Sequence, residues 1–162
     1  MEFLADLFPD AKLLPADPIA RAKVRLFAHL IDTKFIPAFA GCVFLGGPPE
    51  PLYAMLDTLQ AFLPPDGGYV AGDWSIADAA FIPWFLRLEA ILALNPVTMS
   101  PEVAEAASGM VRSERFARLQ QWKRDNVARP TMAKTYDEVW FYAFRYCYGR
   151  CADARGGFYR QQ

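Results

Sequence analysis

The chain has 162 residues, enough for one domain with a sizeable core, and a composition that is 54% hydrophobic and only 22% charged argues against a disordered polymer. A formal net charge of −1 argues against the concentrated positive field that nucleic acid or an anionic membrane surface selects. Three cysteines (Cys42, Cys147 and Cys151) are an odd number without framework spacing, which points to reduced thiols, no metal site and a cytoplasmic setting.

Helical periodicity dominates from the start. Glu2 to Phe8 predicts one or two turns of helix, stopped by Pro9-Asp10. Lys12 to Pro15 reads as an extended connector, because the residue before a proline avoids helical angles. Asp17-Pro18 then opens a long amphipathic helix, with aspartate as N-cap and proline at the first position. Its stripe is Val24, Phe27, Ile31 and Phe35, and it continues to about Phe44 with a kink expected at Pro37.

Gly46-Gly47-Pro48-Pro49 is a loop, and a third helix presents Leu52, Met55, Leu56, Leu59 and Leu63, ended by Pro64 to Gly68. Ser75-Ile76-Ala77-Asp78 is the sharpest local signal. A serine and an aspartate three residues apart satisfy each other's backbone amides in an N-capping box, with Ser75 expected to accept from the Asp78 amide and Asp78 from the Ser75 amide. The helix that follows, to about Leu94, is apolar around most of its circumference and so belongs at the centre of a bundle. Asp78, Pro83, Arg87 and Glu89 interrupt it, so no run is expected to cross a bilayer.

Asn95-Pro96 ends that helix, and Ser100-Pro101 starts a short one. Ser113 is the expected cap of the next, which carries Phe116, Leu119 and Trp122. Arg112, Arg115, Arg118, Lys123 and Arg124 form a basic patch, interrupted by Glu114 and Asp125 as in a solvated face. Arg129-Pro130 is a break, and Thr135 with Glu138 predicts a second capping box before a last, aromatic helix with Trp140, Phe141, Phe144, Tyr146 and Tyr148, ending at Gly149. The expected organisation is a connector over 1–16, a helical bundle over 17–149 and a polar tail over 150–162, all-α and without an alternating strand pattern.

The segment Tyr69-Val70-Ala71-Gly72-Asp73-Trp74-Ser75-Ile76-Ala77-Asp78-Ala79-Ala80 resembles the signature of the C-terminal domain of cytosolic glutathione transferases. In that family a glycine turn leads into a capped helix reading serine or threonine, any residue, alanine, aspartate. Phe3 to Pro18 resembles the family's interdomain connector and the opening of its first helix, and Arg129-Pro130 with the tyrosine-rich end resembles its closing segment. The flavour is that of omega-like or fungal members. The family's apolar staple would join Trp74 to position 79, where Ala79 is a small partner.

The resemblance implies an orthogonal or up-down helical bundle that forms one wall of an apolar pocket for an electrophilic small molecule. On the matching helices, Phe27, Leu30, Lys34, Phe35, Trp84, Trp140 and Phe141 are the expected lining, although an aromatic at helical spacing is more often core than pocket. The family's thiol-activating residue and glutathione contacts come from a thioredoxin-like domain that nothing in this sequence matches. No intrinsic cofactor is therefore expected, with glutathione used only if such a domain is supplied, and the exposed apolar surface is expected to take that domain or a second copy of the chain. A glutathione-independent isomerase or cyclase is the alternative, with His29 (oriented by Asp32), Lys34 and Tyr142 as weak candidates for proton transfer. The other alternative is a non-catalytic interaction module.

Overall fold

The local chemistry that starts and stops each helix also fixes how the helices meet. The structure, a computed structural model, describes residues 2–93 and 98–135. Helix α1 is Glu2–Leu7, followed by a 3-10 turn at Pro9–Ala11. Helix α2 is Pro18–Leu30, where the Asp17 carboxylate accepts the Ala20 amide at 2.7 Å, as the Asp-Pro pair predicts. The connector between them is tied down: Arg21 donates to the Pro15 carbonyl at 3.0 Å, and the Ile76 amide donates to the Leu13 carbonyl at 2.9 Å.

The long helix changes its hydrogen-bond register part-way along. Between Leu30 and helix α3, Ile36–Leu45, lies a π-helical turn, Ile31–Phe35, in which the Ile36 amide reaches back to the Ile31 carbonyl. Pro37 accounts for it. Proline has no N–H for the Thr33 carbonyl and its ring would press on that carbonyl, so the preceding turn widens to make room. The Thr33 hydroxyl donates to the His29 carbonyl at 2.7 Å on the same turn.

Length and composition alone mark the rod Pro18–Leu45, 28 residues long, as long and apolar enough to cross a membrane. This corrects the expectation that no run suffices. Its stripe of Val24, Phe27, Ile31, Phe35, Phe39, Cys42 and Val43 is buried within the bundle core, as in the core helix of a folded domain. Gly46 ends it with a left-handed backbone (φ +66°), and a Cβ there would stand 2.8 Å from the Thr98 carbonyl oxygen.

Helix α4 is Glu50–Gln60, and the turn after it holds two isolated bridges, Tyr69 to Gly72 and Ala71 to Asp73; no strand forms among the described residues. Helix α5, Ile76–Ala93, packs on α2 and α3, and also on α6 (Pro101–Val111) and α7 (Ala117–Val127). Phe81 is the hub. Its ring lies 5.8 Å from Phe27, 5.2 Å from Phe35 and 5.7 Å from Phe85, and stacks on Trp122 at 5.1 Å. Such pairs each add about 1 kcal/mol beyond the area they bury.

Ser113 does not cap α7. Its hydroxyl donates to the Met110 carbonyl at 2.7 Å, and a 3-10 turn at Glu114–Phe116 intervenes. The capping group comes from α4 instead: the Gln60 amide oxygen accepts the Leu119 amide at 3.2 Å, while its nitrogen donates to the Arg115 carbonyl at 2.8 Å. A short α8, Pro130–Thr135, follows. The Asn95-Pro96 stop, the Thr135–Glu138 box, the aromatic helix with Phe144, Tyr146 and Tyr148, Cys147, Cys151 and the polar tail lie outside the described residues.

Candidate functional site

The start of α5 is the most heavily bonded point of the bundle. Asp78 is 0% exposed. One carboxylate oxygen accepts the Ser75 amide at 3.0 Å and the Ser75 hydroxyl at 3.1 Å; the other accepts the Val70 amide at 3.2 Å and the Trp122 indole N–H at 2.7 Å. Ser75 itself accepts from the Ala77 amide at 3.3 Å rather than from the expected Asp78 amide, and its hydroxyl donates to the carboxylate. Burial pushes the Asp78 carboxyl above the usual range, and the donors of Trp122, Val70 and Ser75 oppose that only in part. The box is therefore a structural lock that joins the turn, the central helix and α7.

Trp74 leaves the small Ala79 and turns to α7. Its indole donates to the buried Asn126 at 3.0 Å, and the Asn126 side chain donates to the Trp122 carbonyl at 2.9 Å. The guanidinium of Arg129 lies 4.5 Å above Trp74 and 5.6 Å from the Tyr69 ring, and the Tyr69 hydroxyl donates to the Asp125 carbonyl at 3.3 Å. Sequence spacing gives no signal for this cluster, since its members are up to 60 positions apart.

The expected pocket residues divide. Phe27 and Phe35 are fully buried, their rings filled in by Phe62, Phe81 and Phe39. Leu30 is half-buried and Lys34 exposed, on the α2 end and the π-helical turn. Trp84 is half-buried, with its ring edge-on to Phe39 at 5.6 Å and the Arg87 guanidinium 4.8 Å from its centroid. The i, i+3 spacing of Trp84 and Arg87 allows this contact. Trp140, Phe141 and Tyr142 lie outside the described residues.

His29 is exposed, and no hydrogen bond or ion pair joins it to Asp32. The π-helical turn beginning at Ile31 alters the regular three-residue spacing on which that pairing depends. Cys42 is buried, and burial first, then the Glu50 charge, pushes its thiol up, away from the reactive thiolate. No group of metal-ligating side chains occurs among the described residues. Much of the basic patch is used within the fold: Arg115 forks onto Asp57, Lys123 reaches Glu89 at 2.8 Å, and Arg118 donates to the Pro64 and Gly68 carbonyls at 2.6 Å each.

A separate surface is apolar and open. Phe3 is 74% and Ile19 81% exposed, with Leu4 and Leu7 on α1, Phe8 just after it and Leu26 on α2 also exposed. The Glu2 carboxylate grips Arg25 through two bonds, 2.7 and 2.9 Å, which tie α1 to α2 there.

No protein-family model matches the sequence. Three similar solved structures are glutathione transferases from Trametes versicolor. Glutathione transferase Omega 1C is 31% identical, with a TM-score of 0.84 over 91% of this chain. Omega 2S in complex with 2,4-dihydroxybenzophenone is 38% identical, with a TM-score of 0.81 over 89% of this chain. Omega 2C is 32% identical, with a TM-score of 0.80 over 91% of this chain. This chain spans 63% of the length of the first two and 64% of the third. The capped central helix, the bundle around it and these likenesses lead to one assignment: the chain belongs to the cytosolic glutathione transferase family, as its C-terminal all-helical domain of the omega-like, fungal type.

Proposed function

We propose that this domain supplies one wall of an apolar pocket for a planar, electrophile-class small molecule. The observation that carries the reading is the 38% identity, over 89% of the chain, to an Omega 2S structure in complex with 2,4-dihydroxybenzophenone. Leu30, Lys34 and Trp84 are the described candidates with surface to offer, while Phe27 and Phe35 act from behind by fixing the helices that carry them. An aromatic ring with a cation beside it, as Trp84 has in Arg87, suits a flat ligand with polar substituents.

Conjugation is a separate matter. A transferase step needs an activated thiolate, and the one described thiol, Cys42, is buried and pushed the wrong way. Conjugation then depends on a thioredoxin-like domain, which would bring the glutathione with it. The open face of Phe3, Leu4, Leu7, Phe8, Ile19 and Leu26 is the place for that domain, or for a second copy of the chain. The reducing cytoplasm fits a free buried thiol. The proton-transfer alternative is weaker, since His29 and Lys34 are exposed and His29 lacks its expected carboxylate partner. The interaction-module alternative rests on the same open face.

Calorimetry tests both halves. Titration with 2,4-dihydroxybenzophenone is expected to give saturable binding at one site, and an absence of heat at millimolar titrant would remove the pocket reading. Titration with a thioredoxin-like domain from an Omega relative is expected to give binding that Phe3→Glu weakens; no binding would remove the docking reading.

A further inference from the structure

Among the described residues, helix α8 packs chiefly on α7. Pro130, Thr131, Lys134 and Thr135 are exposed, and Met132 is the one apolar side chain of α8 described as packed against the core. The residue before it is different. The Arg129 guanidinium sits against two aromatic faces, Trp74 at 4.5 Å and Tyr69 at 5.6 Å, and its Nε is buried without a hydrogen-bond partner among the described residues. With one buried donor left over, the guanidinium lies against the rings, and no ion pair to it occurs among the described residues. The rings are themselves fixed, Trp74 through Asn126 and Tyr69 through the Asp125 carbonyl. The Arg129 carbonyl in turn accepts the Met132 amide at 2.9 Å, closing the first turn of α8.

We infer that Arg129 is a latch: clamped between Trp74 and Tyr69, it holds α8 onto the bundle, and its release opens α8 as a local event below global unfolding. The sequence places the latch well. Pro130 removes one amide and resists continuation of α7, so the chain direction at this break is set by side-chain contacts. An opening confined to α8 leaves the Asp78 lock and the Phe81 hub intact, because both are built from residues before 129.

Native-state trypsin digestion tests it. Arg129 is followed by proline, so neither Arg129 nor a lysine in its place is itself a ready cleavage site, whereas Lys134 lies in α8 and Lys123 and Arg124 lie in α7 as internal controls. In Arg129→Ala, cleavage after Lys134 is expected to accelerate on the order of tenfold, with the α7 sites and the thermal midpoint nearly unchanged. Arg129→Lys, which keeps a cation for the rings, is expected to fall in between. Combining Arg129→Ala with Trp74→Ala is expected to release α8 little further than Trp74→Ala alone. An unchanged rate at Lys134 in Arg129→Ala overturns the latch. So does equal acceleration at Lys123, Arg124 and Lys134, which would mean that the whole bundle has loosened.

Discussion

Asp78 shows how much one residue can carry when it is buried with its partners. Its carboxylate takes four donors from three segments of chain, and one of them, the Trp122 indole, is 44 positions away. Asp78→Ala removes the acceptor and leaves those donors buried, which costs about 3 kcal/mol rather than the roughly 1 kcal/mol of an exposed cap. Urea midpoints of the two proteins measure it, and equal midpoints would dismiss the lock. The pH dependence has a definite sign. A carboxyl held above its usual range by burial binds its proton more tightly folded than unfolded, so its contribution to stability is full at low pH and is lost as pH rises through the folded value. The stability gap between the native chain and Asp78→Asn is therefore expected to be wider at about pH 5 than at about pH 7.5. A gap that widens with pH would mean that the four donors outweigh burial.

At the scale of elements, each boundary is set either by neighbours in sequence or by groups from afar, and only the first kind can be read in advance. The Asp17-Pro18, Ser75–Asp78 and Ser100-Pro101 helix starts are local, and the structure keeps all three starts, though Ser75 accepts from the Ala77 amide in place of the expected Asp78 amide. Pro37 is local too, but the sequence indicates only that the helix must yield; the structure answers with a π-helical turn whose end residues, Ile31 and Phe35, are both buried. The start of α7 is not legible at Ser113, because its acceptor is Gln60, 59 positions from Leu119. Trp74 likewise gave up a local staple for Asn126, 52 positions on. Periodicity marked Phe27 and Phe35 as an apolar stripe, but it does not say whether a ligand or Phe81 fills the space beside them; Phe81 does. Gly46 combines both kinds of constraint. Its left-handed backbone favours glycine, and the Thr98 carbonyl lies where a Cβ would go. Gly46→Ala is expected to cost about 2 kcal/mol in urea denaturation, and a loss below about 0.5 kcal/mol would show that the α3 exit moves freely.

As a whole molecule, the chain divides its apolar residues between two uses. The rings around Phe81 consolidate the bundle, while Phe3, Leu4, Leu7, Phe8, Ile19 and Leu26 remain exposed and are the surface proposed for docking. The Omega relatives are longer than this chain, which spans 63% of Omega 1C and Omega 2S, and these exposed residues belong to α1, the residue after it and α2. The proposed wall of Leu30, Lys34 and Trp84 belongs to the two long rods that the Asp78 lock and the Phe81 hub hold in register, so a ligand there would meet pre-set surfaces and bind with little reordering. Amide hydrogen exchange, with and without saturating 2,4-dihydroxybenzophenone, asks the central question most directly. Exchange is expected to slow in peptides covering residues 30–37 and 80–88 and to stay unchanged in α7; no slowing, or slowing confined to α6 and α7, would contradict the assignment of this wall.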